Sequence, residues 1–124
     1  MDELYRAQIL EHSKHPHHWG RLVKPSAIHT ESNPTCGDEL SVELLVQKGI
    51  VKEVGLSGAG CAISIASASM LADELEGKTV AQAAKIPRER VLELLGIDPG
   101  PSRLKCALLS WHALQKTLAK IKSD

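Results

Sequence analysis

Three cysteines carry the chemistry that this sequence offers. Cys36 lies in the turn-forming run Asn33–Asp38, Cys61 follows the run Gly58–Gly60 directly before a predicted helix, and Cys106 lies near the start of the last predicted helix. A helix N-terminus carries partial positive charge, which favours a thiolate over a thiol. Because the thiolate is both the metal ligand and the nucleophile, these positions predict metal binding or sulfur chemistry.

The alternative is that the cysteines are small buried hydrophobic residues. At about 100° per residue, Cys106 lies roughly 120° from the centre of the stripe of large apolar residues on its helix, so it is not expected to pack within that stripe. Cys36, in a turn between threonine and glycine, also has little to pack against. Cys61 alone is consistent with simple packing.

Three converging thiolates need a fourth ligand, and Asp38 is the nearest candidate. In Cys36-Gly37-Asp38 two ligands would come from one turn, in which glycine allows the backbone to fold closely. A Cys₃Asp set suits tetrahedral Zn²⁺, and it also suits an iron–sulfur cluster that a weaker oxygen donor leaves exchangeable. Asp38 is equally consistent with a turn residue that accepts backbone N–H groups. The spacings contain no C-x-x-C pair and do not by themselves establish a site.

The elements that must gather these residues follow from periodicity and from breakers. Alternating apolar and polar residues over 39–46 predict a half-buried antiparallel strand. Thr79 and Ser102 are predicted helix N-caps, and Pro87 is predicted in a first helical turn. The sequence predicts strands near 27–32, over 39–46 and over 50–56, and helices over 2–13, 62–75, 79–84, 87–96 and 102–121.

The order of these elements predicts an α+β fold, with a small antiparallel three-stranded sheet and helices packed on one face. The length of 124 residues predicts one domain, residues 1–124. The stripe on the last helix is expected to face the core. Its members are Leu104, Ala107, Leu108, Trp111, Leu114, Leu118 and Ile121.

Composition narrows the classes of function. Fifteen basic residues balance fifteen acidic ones, and the aromatic residues number three, so nucleic-acid binding is not expected. No apolar run approaches the ~18 residues of a membrane span. The start Met1-Asp2-Glu3 does not resemble a signal peptide, and an odd cysteine count argues against a disulfide framework. We therefore expect reduced thiols in the cytoplasm.

Four histidines, at 12, 15, 17 and 18, are close in sequence and could bind a transition metal. A structural role is the favoured interpretation. His12 is predicted late in a helix, where a cation is favourable, and the others decorate a loop. A Cys–His hydrolase would use one thiol and one histidine, but it would leave two thiols unexplained.

The cysteine motifs resemble those of a known family. The runs Asn33–Asp38, Gly58–Met70 and Lys105–Trp111 look like the three cysteine motifs of the iron–sulfur cluster assembly scaffolds, that is IscU, SufU and the N-terminal domain of NifU. The segment from Leu4 to Gly20 also resembles the family's N-terminal segment. The resemblance implies a compact α+β fold whose cysteines meet at one edge. It implies that Cys36, Cys61 and Cys106 are cluster or metal thiolates and that Asp38 is the labile fourth ligand.

The resemblance also implies a function without catalysis, that of a scaffold or carrier. Such a protein receives sulfur from a cysteine desulfurase, assembles a [2Fe–2S] cluster transiently, and passes it to downstream apo-proteins. Zn²⁺ or Fe²⁺ is expected at the same ligands, and the chain is expected to be a monomer or a weak homo-oligomer. The alternative is a SufU-like, zinc-dependent sulfurtransferase that carries persulfide sulfur to another scaffold. Its acceptor would be Cys36 first and Cys106 second.

The sequence departs from both branches of this family. Lys105 stands where the IscU branch has histidine, and Gly100–Lys105 replaces a chaperone-recognised Leu-Pro-Pro-Val-Lys stretch. The residues around Cys61 and Cys106 look more like SufU, yet the interval between them is too short for the extra SufU segment. The two mechanisms therefore remain open on sequence grounds.

Overall fold

The sheet is a three-stranded antiparallel meander in the order β1-β2-β3. A computed structural model describes residues 2–34 and 37–121 of the chain. The elements are α1 (Asp2–Lys14), β1 (Ala27–Asn33), β2 (Asp38–Gln47), β3 (Ile50–Ala59), α2 (Ala62–Leu75), α3 (Val80–Ala84), α4 (Arg88–Leu95) and α5 (Pro101–Ala119). This order confirms the predicted α+β class.

A tight turn sets the register of β2 and β3. Lys48 and Gly49 connect the strands, and both have positive φ, 54° and 74°. Two consecutive residues with positive φ match the right-handed twist of the flanking strands. The pairing runs from Gln47↔Ile50 to Glu39↔Ala59, with one irregularity between Leu45 and Val46. The end of β2 that carries Asp38 therefore lies beside the end of β3, immediately before Cys61.

The alternation in β2 separates a buried face from a polar one, as predicted. Leu40, Val42 and Leu44 are almost fully buried in the main core. The same core includes Leu71 of α2 and Leu114 of α5. Both helices therefore cover one face of the sheet and bring their N-terminal ends toward its edge.

The chain after α1 protects the outer edge of β3. Gly20 donates a backbone hydrogen bond to Leu56 O (2.7 Å), and Leu56 N–H donates to His18 O (2.9 Å). Gly55 lies against this segment so closely that a Cβ there would stand 2.8 Å from Gly20 O. The pairing satisfies backbone groups that an edge strand would otherwise expose.

The helix caps confirm one prediction made from the sequence and correct two others. Thr79 forms the predicted N-cap as a full capping box with Gln82. Ser102 is not an N-cap, because α5 begins at Pro101 with Gly100 as its N-cap. Proline suits the first helical position, since its missing N–H would have no partner there. Pro87 is likewise the N-cap of α4 and does not lie in its first turn.

The buried face of α5 is wider than the predicted stripe. Cys106 is only 5% exposed, so the expectation that it lies away from the packed face is wrong. The reason is that α5 packs against both the sheet and α2, and small side chains allow the second contact. Ser110 Oγ, for example, lies 3.5 Å from Ser67 Oγ of α2. The second set of buried residues is Cys106, Leu109, Ser110, Ala113 and Thr117.

The described helices include none that is both long enough and apolar enough to cross a membrane.

Candidate metal centre

Three of the four residues predicted as ligands meet at one end of the sheet. Asp38, Cys61 and Cys106 each offer one ligand atom, and these atoms all lie within 4.8 Å of one another. Asp38 is the first residue of β2, Cys61 directly precedes α2, and Cys106 lies in the second turn of α5. The sheet and two helices therefore position one donor each.

Cys61 lies at the positive end of a helix. It is the N-cap of α2, with extended backbone (φ −74°, ψ 169°), and its carbonyl accepts a hydrogen bond from Ile65 N–H (3.1 Å). Its side chain makes no cap hydrogen bond, so the sulfur is not engaged by the helix backbone. The unpaired N–H groups of a first helical turn favour a negative charge nearby.

Ser64 joins two of these ligands. Its fully buried hydroxyl donates to Asp38 Oδ2 and lies 3.4 Å from Cys61 Sγ. Sequence reasoning did not single out Ser64. The signal that could have found it is its spacing, since a residue three positions after Cys61 lies on the same side of the helix. Ser64 holds the carboxylate in place.

Gly60 leaves the space that Asp38 occupies. A Cβ at this position would stand 3.2 Å from Asp38 Cγ and 3.1 Å from Ser64 Cβ. Both distances are tighter than ordinary van der Waals contact, so a side chain would displace the carboxylate or the serine. The glycine therefore has a packing role at the site, independent of backbone strain.

The site is partly open to solvent. Cys61 is exposed, whereas Asp38 and Cys106 are buried (7% and 5%). One ligand is thus accessible from outside while the other two are held in the protein. Such an arrangement allows a partner molecule to reach a bound ion without unfolding of the site.

The donors fit a tetrahedral metal. With Zn–S bonds of about 2.3 Å, ligand atoms around a tetrahedral ion are about 3.8 Å apart. The three ligand atoms lie within 4.8 Å of one another, so this value is reached by a contraction of at most about 1 Å. Thiolates with one carboxylate suit Zn²⁺ or iron in a sulfur-rich environment.

The fourth predicted ligand, Cys36, lies outside the described residues. The described residues that flank the segment 35–36 are connected, because Gly37 donates a backbone hydrogen bond to Asn33 O (2.8 Å) and has a positive φ of 78°. Asn33 and Asp38 pair across β1 and β2. The membership of Cys36 in the site stays a prediction.

Residues 4–124 match the model of the NifU-like N-terminal domain family. The chain belongs to this family. It is 34% identical to the zinc-dependent sulfurtransferase SufU of Bacillus subtilis, covering 97% of this chain and 92% of that protein. It is also 34% identical to the iron–sulfur cluster assembly scaffold protein IscU of Streptococcus pyogenes, covering 97% and 86%.

A solved member of the NifU-like family has the same fold. The N-terminal part of a nitrogen-fixing NifU-like protein from Brucella abortus superposes with a TM-score of 0.76 at 26% identity, covering 97% of this chain and 95% of that one. The resemblance stated from the three cysteine motifs is thereby confirmed, as is the α+β fold that it implied.

Proposed function

We propose that this NifU-like domain is a scaffold on which a [2Fe–2S] cluster is assembled and from which it is passed on. The observation that carries the proposal is the meeting of Asp38, Cys61 and Cys106 at one partly exposed point. Clusters of this type are held by four protein donors. Cys36 is the fourth donor in this proposal. Cys36 lies two residues before Asp38 in the sequence.

The mixed ligand set suits temporary binding. Three thiolates bind iron strongly, whereas a carboxylate is a harder and weaker donor for a sulfur-bridged cluster. Asp38 is therefore the ligand that an acceptor protein would displace first. Cys61 is exposed, so a thiolate of the acceptor protein could approach the cluster from that side. Sulfur would come from a cysteine desulfurase, and the cluster would pass to downstream apo-proteins.

The test is anaerobic reconstitution with Fe²⁺ and sulfide, followed by transfer to an apo-protein that takes up a [2Fe–2S] cluster. We expect a visible chromophore that depends on the three cysteines. The Asp38→Ala variant should keep its cluster several-fold longer than the wild type. Asp38→Asn, which preserves the size of the side chain, guards against misfolding of the alanine variant. Glu39→Ala removes an exposed neighbouring carboxylate and is the matched control.

Two results would overturn the scaffold proposal. One is the absence of a chromophore after reconstitution of the folded protein. The other is cluster loss from both Asp38 variants at the rate of wild type and of Glu39→Ala.

A zinc-dependent sulfur carrier is the second candidate, and two observations favour it. The relative from Bacillus subtilis carries the name of such a sulfurtransferase. In addition, a cleft of about 480 Å³ runs from Asn33 and Pro34, before Cys36, to Arg88 and Lys105. The cationic side chains of Arg88 and Lys105 in this cleft would attract an anionic persulfide donor. Zn²⁺ would hold the thiolates until one of them accepts sulfur.

The transfer step needs no oxidant. A cysteine thiolate attacks the outer sulfur of the donor persulfide, a new S–S bond forms, the donor S–S bond breaks, and the donor leaves as a thiolate. Cys36 is the first choice of acceptor and Cys106 the second. The burial of Cys106 supports that order. Mass spectrometry of the zinc-loaded protein after incubation with a desulfurase and cysteine should find added sulfur on Cys36. An unmodified protein would exclude the carrier function.

A further inference from the structure

We propose a second site for a divalent transition-metal ion, formed by His12, His17 and Asp73. One ligand atom from each of these residues lies within 4.8 Å of the others. His12 comes from α1, His17 from the segment after it, and Asp73 from the last part of α2. Asp73 follows Cys61 by twelve residues, which is about 18 Å along a helix, so this site is separate from the cysteine centre.

A buried serine fixes both histidines. Ser69 Oγ lies 2.7 Å from His12 Nδ1 and accepts a hydrogen bond from the backbone N–H of His17 (2.7 Å). Ser69 is fully buried on α2, so its position does not depend on solvent. A histidine that binds a metal usually has its other ring nitrogen held by a hydrogen bond, which orients the ring. Ser69 supplies such a bond to His12.

Asp73 is oriented in a comparable way. Its Oδ2 lies 2.8 Å from His17 Nδ1, and its Oδ1 lies 3.0 Å from His18 Nε2. One carboxylate oxygen therefore faces the His17 ligand while the other is held by His18. An ion bound between His17 and Asp73 would leave the His18 contact in place.

The electrostatics favour an ion over a proton at this cluster. The rings of His12 and His17 are 4.5 Å apart, so two protonated imidazoles would repel each other. A metal ion binds the lone pair of an imidazole nitrogen in place of a proton. One ion shared by the two rings and the carboxylate of Asp73 would supply positive charge without that repulsion.

The donor set and its surroundings indicate the class of ion. Two imidazoles and one carboxylate are a common set for Zn²⁺ with an open position, and also for Fe²⁺. The cluster borders a cleft of about 460 Å³ that also contains Glu11 and Glu74. Glu74 is paired with Arg90, so the carboxylate of Glu11 is the added negative charge beside the cluster. The volume of the cleft leaves room for water ligands.

The consequence of binding is a firmer attachment of α1. Among the described side chains of this helix, residues 3–14, only Ile9 is buried. The other described side chains of α1 are exposed or only partly buried. A metal that links His12, His17 and Asp73 would join the helix, the following segment and α2 at one point.

The test is Zn²⁺ titration of the full chain with its cysteines reduced. We expect two ions per wild-type chain, one per chain in His17→Ala, and two in His15→Ala. His15 is the matched control, since it is an exposed histidine two residues away that does not belong to the cluster. Asp73→Asn should also bind one ion. Because its amide preserves the shape of the side chain, this variant provides the test if His17→Ala folds poorly.

A cysteine-free protein separates the two sites. With serine at positions 36, 61 and 106 we expect one Zn²⁺ per chain. Bound Co²⁺ in that protein should give visible d–d bands without thiolate charge transfer. Hydrogen exchange of the α1 amides should slow at least tenfold with Zn²⁺, and adding His17→Ala should abolish the slowing.

Three results would overturn this proposal. They are no Zn²⁺ binding to the cysteine-free protein, equal affinity in the His15 and His17 variants, and unchanged exchange of α1. Each of them would leave binding at the cysteine centre as it is, so failure here is distinguishable from failure of the proposed scaffold function.

Discussion

The hydroxyl of Ser64 donates a hydrogen bond to the carboxylate of Asp38, and both residues are buried. A buried carboxylate is costly unless hydrogen bonds compensate it. Ser64 supplies one such bond from α2, so the carboxylate is held close to Cys61 and Cys106 before any ion binds. This contact makes the position of Asp38 depend on the packing of α2 against the sheet.

Replacement of Ser64 by alanine should weaken metal binding more than folding. Loss of a ligand-orienting hydrogen bond typically costs about 10- to 100-fold in metal affinity. The loss of one bond to a buried charged group should cost about 1–3 kcal/mol of unfolding free energy. Zn²⁺ competition and urea denaturation would measure the two effects. Ser67→Ala is the control, because the Ser67 hydroxyl is equally buried but donates to Ser64 O. Equal affinities of the two variants would contradict the role of Ser64.

An added methyl group at Gly60 should reduce metal affinity through Asp38. The new Cβ would stand 3.2 Å from Asp38 Cγ, so the carboxylate or α2 must shift by a few tenths of an ångström. We expect Gly60→Ala to bind Zn²⁺ at least several-fold more weakly than the wild type. Ala59→Ser, which adds one heavy atom at the exposed preceding residue, should bind normally. Normal binding by Gly60→Ala would show that the site tolerates this displacement.

The buried carboxylate of Glu43 should stabilise the segment after α1. Glu43 is 2% exposed and accepts hydrogen bonds from Leu22 N–H (3.1 Å) and Arg21 Nε (3.2 Å). We expect Glu43→Ala to lower the unfolding free energy by about 1–3 kcal/mol, because it removes the acceptor of a backbone N–H. Arg88→Ala breaks an exposed pair with Glu89 and should change stability by less than about 0.5 kcal/mol. Thermal or urea unfolding would measure both losses of stability. A larger loss in Arg88→Ala than in Glu43→Ala would contradict the prediction.

Glu31 should make stability depend on pH in the acid range. Hydrogen bonds from His29 and then Lys116 hold the pKa of Glu31 below its usual value. The unfolded chain therefore binds the proton more readily than the folded one. The resulting stabilisation is complete above the unfolded pKa of about 4.3 and is lost as pH falls through the lower folded pKa.

Urea unfolding at several pH values would check this effect. Wild type should be more stable than Glu31→Gln at pH 6, and the difference should shrink below about pH 4. Glu53→Gln, at an exposed position of β3, is the control. A difference that stays constant down to pH 2 would exclude a contribution from Glu31 ionisation.

Local patterns predicted most of the elements and the class of chemistry. The alternation in β2, the Lys48-Gly49 turn and the Thr79 cap each depend on residues that are close in sequence. The wrong predictions have two different origins, one local and one tertiary. Ser102 was a plausible cap, but Pro101 already fits the first helical turn. Cys106 lies off the large apolar stripe, yet it is buried because a second element packs on that side of α5.

The available donors, the alternation of the strands and the positions of the main turns and helices depend on neighbouring residues, so they can be predicted from the amino-acid order. The hydrogen bond between Asp38 and Ser64, 26 positions apart, and the contact between His17 and Asp73, 56 positions apart, arise only in the folded chain. Such contacts arise when α1, α2 and α5 pack on one sheet at particular angles and distances. Close packing of the whole core sets those angles, and local sequence does not encode them.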